Sequence, residues 1–221
     1  MDNLKFTEDE IQRYARHITL PQVGGLGQRK LMNAKVLVIG AGGLGSPLLL
    51  YLAAAGVGNI GIIDDDKVEL SNLQRQIIHK TNKIGSYKTD SAKETILSIN
   101  PNINIMTYKE RFSIFNAENI ISQYDIVADG SDNFGTRFLA NDTCFLTKKT
   151  LIKIKHQALE WEYFLNWSET TKTLRDLQIQ TFQYLQWVNL RKILLKILMI
   201  KKIHIQKNHF LENFILIMEK Y

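Results

Sequence analysis

The chain has 221 residues, 45% of them hydrophobic, and a formal net charge of +6. That length accommodates one large domain, or one domain with an appendage, of ordinary globular composition. A single cysteine, Cys144, excludes an internal disulfide and any site built from cysteine pairs. With the acidic start MDNLKFTEDE, it predicts a reducing cytoplasm and no secretory signal. No uncharged apolar run approaches the roughly 18 residues of a membrane span. Residues 1–150 carry 17 basic and 16 acidic side chains, leaving 11 and 6 beyond. The basic excess therefore belongs to the tail, and no nucleic-acid partner is expected.

In chain order, Thr7 and Glu10 fit a capping box, which predicts a helix over TEDEIQRYARHI. GLGQRKLMNA (25–34) reads as a second short helix. KVLVIG (35–40) is a continuous apolar run, the mark of a strand buried on both faces. GSPLLLYLAAAGVG (45–58) reads as a helix with Pro47 in its first turn and Gly56 near its end. NIGIID (59–64) is a second buried strand ending in acid. KTDSAKETILSIN (88–100) is a helix stopped by Pro101, and INIMTY (103–108) a third strand. NAENIISQ (116–123) is a helix, DIVADGSDN (125–133) a fourth strand with an acidic loop, and TRFLANDTCFLTKK (136–149) a helix. This alternation predicts an α/β fold: a doubly wound, Rossmann-like, mostly parallel sheet. Ligands of such sheets sit outside the carboxyl ends of the strands. That rule predicts a crevice where the Gly40–Gly45 turn, Asp64–Asp66 and Asp129–Asn133 converge.

Composition breaks near residue 150. All 13 glycines lie at or before Gly135, all three prolines at or before Pro101, and all three tryptophans beyond residue 150. Residues 1–34 are read as a helical segment, 35–152 as a nucleotide-binding domain that is incomplete, and 153–221 as a helix-prone tail without an evolved fold.

The residues that suggest chemistry begin with GAGGLGS (40–46), in which Gly40, Gly42 and Gly45 fit G-x-G-x-x-G. Such a turn brings backbone N–H groups and a helix N-terminus to an anion. Asp64, with Asp66 nearby, lies 24 residues after Gly40, where an acid accepts from ribose hydroxyls of either NAD or ATP. SNLQRQ (71–76) separates those two ligands. A triphosphate that is to be broken needs cations on its departing oxygens, and Arg75 offers a bidentate donor, Asn72 a neutral one and Lys88 a point charge. In DGSDN, Asp132 can hold Mg²⁺, because hard cations take carboxylate oxygens. Arg137 reads equally as a ligand-facing residue or as a capping or salt-bridge residue. Cys144 reads as inert packing, and His17 and His79 as isolated.

Taken together, RYARHI, GAGGLGS, GVGNIGIIDDDKVELSNLQRQ, IGSYKTDSAKE, INPNI and DGSDNFGTR closely resemble the bacterial adenylyltransferases that activate ubiquitin-like sulfur carriers in molybdopterin and thiamine synthesis. These are relatives of the ubiquitin-activating enzymes. The resemblance covers roughly residues 5–152. It implies that Gly43 lines the ATP phosphates and Asp64 holds the ribose. Ser71, Asn72, Arg75 and Lys88 would bind the triphosphate, and Asp132, with Asn133 beside it, Mg²⁺. Arg16 would reach across a homodimer interface to the partner's ATP. The implied partner is a sulfur carrier ending in Gly-Gly, whose C-terminal carboxylate is adenylated with release of pyrophosphate. Two further readings compete: an NAD-dependent oxidoreductase, and a non-catalytic, dimerising nucleotide-binding remnant.

After KKTLI the chain departs from that pattern. The family's glycine turns and the two C-x-x-C pairs of its structural zinc site have no counterpart here. The loss of motif match and of Gly and Pro at one point predicts that residues from about 153 on are an out-of-frame translation, and that carrier adenylation is weak or absent.

Overall fold

The computed structural model describes residues 5–154, so the expectations for the tail lie outside the described residues. Helix α1 (Glu8–Thr19) opens on the anticipated capping box: the Glu10 N–H donates to Thr7 Oγ1 at 3.2 Å, and the Thr7 N–H to Glu10 Oε2 at 2.9 Å. Helix α2 spans Gly24–Asn33. Strand β1 (Lys35–Ile39) is followed by α3 (Gly45–Ala54), β2 (Asn59–Ile63), α4 (Lys88–Ile99) and β3 (Asn104–Tyr108). Then come α5 (Ala117–Ser122), β4 (Ile126–Asp129), α6 (Phe134–Leu146) and β5 (Thr150–Lys153).

All five strands are parallel, in the order β3-β2-β1-β4-β5. Residues of β1 alternate between the two faces, as the two-residue period of a strand requires. Val36 and Val38 pack with Leu48, Leu52, Ile62 and Ile96 under α3 and α4. Leu37 and Ile39 pack with Ile120, Ile121, Val127 and Cys144 under α5 and α6. Helices thus cover both faces of the sheet, as the sequence predicts. Strand β5 was not anticipated as an element. Its four residues, TLIK, carry neither a long apolar run nor flanking turn residues, and their pairing with β4 is what makes them a strand. The helix read as 45–58 stops at Ala54, because Gly56 takes φ +79 and turns the chain toward β2.

Helix α1 is anchored at the amino ends of the strands. The Asn100 side chain donates to the Tyr14 hydroxyl at 2.9 Å, and Arg13 donates to the Ile99 carbonyl at 2.9 Å, both just before β3. On the other face of the sheet, Gly61 in β2 leaves room for the Tyr124 ring, which a Cβ there would meet. The Tyr124 hydroxyl is hydrogen-bonded to that of Tyr108 at 3.0 Å. Among the described residues, no helix is long and apolar enough to cross a membrane.

Candidate functional site

The strand order reverses between β1 and β4, and the turn after β1 lies over that reversal. Three backbone bonds tie it there. Gly40 N–H donates to the Ile63 carbonyl at 2.9 Å, Gly130 N–H to the Ile39 carbonyl at 2.9 Å, and Ala41 N–H to Asp64 Oδ2 at 2.8 Å. The three segments singled out from sequence do converge. Gly40 sits at φ +88, a left-handed conformation that favours glycine. Gly45 is required for a different reason: a Cβ there would overlap the Gly40 carbonyl oxygen. The N–H groups of Gly42 and Gly43 make no hydrogen bond among the described residues, and they stand at the entrance to α3.

Asp64 accepts a second backbone bond, from the Asp66 N–H at 2.9 Å. Burial nevertheless pushes its carboxyl above the ordinary carboxylate range; the two N–H donors and the Lys88 charge pull the other way without cancelling that effect. Lys88 opens α4 but is no surface residue. Its side chain is only 8% exposed, and Nζ lies 2.6 Å from Asp66 Oδ2. The carboxylates of Asp64, Asp65 and Asp66 lie within 4.8 Å of one another.

The SNLQRQ segment forms a short 3-10 turn, Leu70–Asn72. Asn72 Oδ1 accepts from the Glu69 N–H at 3.0 Å, and the Ser71 hydroxyl donates to Glu69 Oε2 at 3.2 Å, which fix the turn. Arg75 follows, exposed, with its methylenes 3.5 Å from where a Gly43 Cβ would stand. Gln76 is buried beneath Gly42, and its Oε1 has no partner among the described residues.

In the loop after β4, Asp129 is buried and accepts from the Ser131 N–H and hydroxyl at 3.0 and 2.6 Å. Asp132 is exposed and makes no hydrogen bond or ion pair among the described residues. Asn133 is the N-cap of α6, its Oδ1 accepting from the Thr136 N–H at 3.2 Å. Arg137 donates through Nε and Nη2 to the Ser131 carbonyl, at 2.9 and 2.6 Å, and so braces the loop before α6. Arg16 is not brought to this crevice: it is exposed on α1, which is anchored at the opposite end of the sheet.

Sequence reasoning passed over His79. It is buried, with Nε2 3.0 Å from the Ala41 carbonyl oxygen and Nδ1 3.0 Å from Ser91 Oγ. Burial lowers its pKa, with Lys88 adding to the effect against the opposing pull of the Ala41 carbonyl, so the ring is neutral. A carbonyl only accepts, so Nε2 carries the proton and Nδ1 accepts from the serine.

A family model described as "ThiF family" matches residues 14–185. The chain belongs to the ThiF family. That match runs past residue 152, where the sequence resemblance ends. Among the relatives of this ThiF-family chain is a probable adenylyltransferase/sulfurtransferase MoeZ of Mycobacterium tuberculosis, 51% identical over 146 residues, which are 66% of this chain and 37% of that protein. The adenylyltransferase and sulfurtransferase UBA4 of Lodderomyces elongisporus is 51% identical over 145 residues, 65% of this chain and 32% of that one. The chain thus spans about a third of the length of these relatives. Among solved structures, the E. coli tRNA N6-threonylcarbamoyladenosine dehydratase TcdA in complex with ATP matches with a TM-score of 0.64 and 27% identity, over 67% of this chain and 61% of that one.

Cys144 takes no part in the crevice. It lies on the buried face of α6 among apolar side chains, and burial, with Asp129 nearby, pushes its thiol up to about 11. The native chain at pH 8 is therefore expected to react slowly with a thiol reagent and the urea-unfolded chain fast; equal rates, read by absorbance, would contradict this placement.

Proposed function

We propose that this chain binds ATP with Mg²⁺ in the crevice between β1 and β4. We further propose that the site is built to transfer the adenylyl group to the C-terminal carboxylate of a ubiquitin-like sulfur carrier. The observation that carries this reading is the pair of uncommitted N–H groups at Gly42 and Gly43, with the Arg75 side chain lying against Gly43. Donors at a helix entrance with an arginine beside them suit a polyphosphate. The relatives named as adenylyltransferases, and a solved relative holding ATP, support the same reading.

In this assignment Gly40, Gly42, Gly43 and Gly45 form the cradle and Asp64 receives the ribose hydroxyls. Ser71, Asn72, Arg75 and Lys88 neutralise the triphosphate, with Asp66 holding Lys88 in place. Asp132, with Asn133 beside it, holds Mg²⁺, which supplies charge neutralisation on the phosphates. A carboxylate oxygen of the carrier attacks the α-phosphorus. The bond from that phosphorus to the bridging oxygen breaks, and pyrophosphate leaves with the electron pair, giving an acyl-adenylate. No protein nucleophile is needed; the residues position the reactants and offset charge. Arg16 serves the site of a second copy in a homodimer, because α1 lies away from its own crevice. The single buried thiol fits a reducing cytoplasm. An NAD reading leaves Arg75 and Asp132 without a task, and neither relative above is named as an oxidoreductase.

Calorimetric titration with Mg·ATP and with NAD tests the assignment. Heat is expected for Mg·ATP alone, and saturable binding of NAD but not of Mg·ATP would sink it. Carrier-dependent ATP–pyrophosphate exchange is expected to be weak, since the glycine turns and C-x-x-C pairs of the resembled enzymes have no counterpart after KKTLI; robust turnover would overturn that expectation.

A further inference from the structure

Both ends of one residue in the glycine turn are clamped. The Ala41 N–H is held by Asp64 Oδ2 at 2.8 Å, and the Ala41 carbonyl faces His79 Nε2 at 3.0 Å. The second clamp is buried: His79 is 6% exposed, and Ser91, whose hydroxyl meets the ring's other nitrogen, 2%. A trans peptide is planar, so the N–H of Gly42 points opposite to the Ala41 carbonyl. With that carbonyl turned inward onto the histidine, the Gly42 N–H is turned outward, and it has no hydrogen bond among the described residues. The flanking peptides are tied separately, by Asp64 to the Ala41 N–H and by the Ser46 N–H to the Gly42 carbonyl at 2.9 Å, so between them the orientation of the Ala41–Gly42 peptide, eased in its rotation by glycine, rests on the histidine.

We infer that His79 is a positioning residue for the anion cradle: by donating from Nε2 to the Ala41 carbonyl, it fixes the outward orientation of the Gly42 N–H toward the bound phosphates. This deepens the ATP reading above and rests on it for the identity of the ligand. The histidine touches no phosphate itself. It lies 38 residues along the chain from its partner carbonyl.

The test compares His79→Leu, which removes the donor, with His79→Gln, whose side-chain amide keeps a donor at similar reach. Two quantities are read on the full 221-residue chain. One is the N–H residual dipolar coupling of Gly42 after ¹⁵N-glycine labelling, with Gly85, whose N–H is held by the Val68 carbonyl, as an internal control; it reports bond orientation, not ring proximity. The other is Mg·ATP affinity by calorimetry. In His79→Leu the Gly42 coupling is expected to change while that of Gly85 holds, and affinity to fall about tenfold, the scale of one hydrogen bond. In His79→Gln both are expected to return close to the unsubstituted values. If His79→Leu does not fold, Ser91→Ala removes the hydroxyl that holds Nδ1, loosens the ring's orientation and is expected to show the same changes at smaller amplitude. The inference is overturned if the Gly42 coupling is unchanged without the donor, if it changes but affinity does not, or if His79→Gln behaves as His79→Leu. A chain that binds no Mg·ATP removes the ATP reading, while the Gly42 coupling still decides what His79 orients.

Discussion

Gly45→Ala is expected to cost the fold about 3 kcal/mol or more and to abolish measurable nucleotide binding. Overpacking of a tight site typically costs about 1–3 kcal/mol, and this case sits at or above the upper end because neither partner can move cheaply. The added methyl would overlap the carbonyl oxygen of Gly40, which is backbone, not the tip of a flexible side chain. Gly40 is itself tied by its N–H to β2 and holds φ +88. Relief would require pulling α3 away from the end of β1, where Leu48 and Leu52 pack. A urea titration measures the loss. Gly85→Ala makes an informative comparison, because a Cβ there meets nothing within 4 Å and the only penalty is its φ of +86. About 1 kcal/mol is expected for it. Equal midpoints for the two variants would show that the overlap is relieved at little cost.

Arg75→Ala is expected to have the opposite profile, with binding lost and stability kept. Arg75 is exposed, and the one hydrogen bond its side chain makes among the described residues, to the Ser71 carbonyl, is long at 3.4 Å. Removing it should leave the urea midpoint within about 0.5 kcal/mol of the unsubstituted chain. Hydrogen bonds to charged groups are worth roughly 1.5–3 kcal/mol, so Mg·ATP affinity should fall between about tenfold and a hundredfold. Arg75→Lys should recover only part of this, because an ammonium lacks the planar fork. Unchanged affinity in Arg75→Ala would remove the arginine from the site and with it the main argument for a triphosphate.

Much of this arrangement was legible from the residues because it is local. The capping box at Thr7 and Glu10, the doubly buried run KVLVI and the helix-opening Pro47 each act within a few positions, and each marks its element. The rule that ligands sit at the carboxyl ends of parallel strands was enough to bring Gly40, Asp64 and Asp129 together. What could not be read depends on contacts between distant segments. The burial of Lys88 against Asp66 is set by how α4 docks beside β2. The value of His79 lies in a carbonyl 38 residues earlier, and a lone histidine in sequence gives no sign of it. Strand β5 exists because β4 offers it an edge, a fact absent from the letters TLIK. Asp64, expected to meet a ribose, accepts two backbone N–H groups, so its carboxylate also shapes the turn, a task its position in the sequence does not announce.

The strand order also sets the timing of assembly during synthesis. Val36 of β1 pairs with Ile126 of β4, so the two central strands are 90 residues apart in the chain. Ribosomes add about 5–20 residues per second, so β1 emerges several seconds before its second neighbour exists. In that interval β1 can pair only with β2, and the bare edge and apolar face that β4 and α6 later cover stand open to other nascent chains. The feature that creates the crevice, a reversal of strand order beside β1, is thus also the last junction of the sheet's centre to close. Chaperone demand for this chain should peak between the release of β2 and the release of β4.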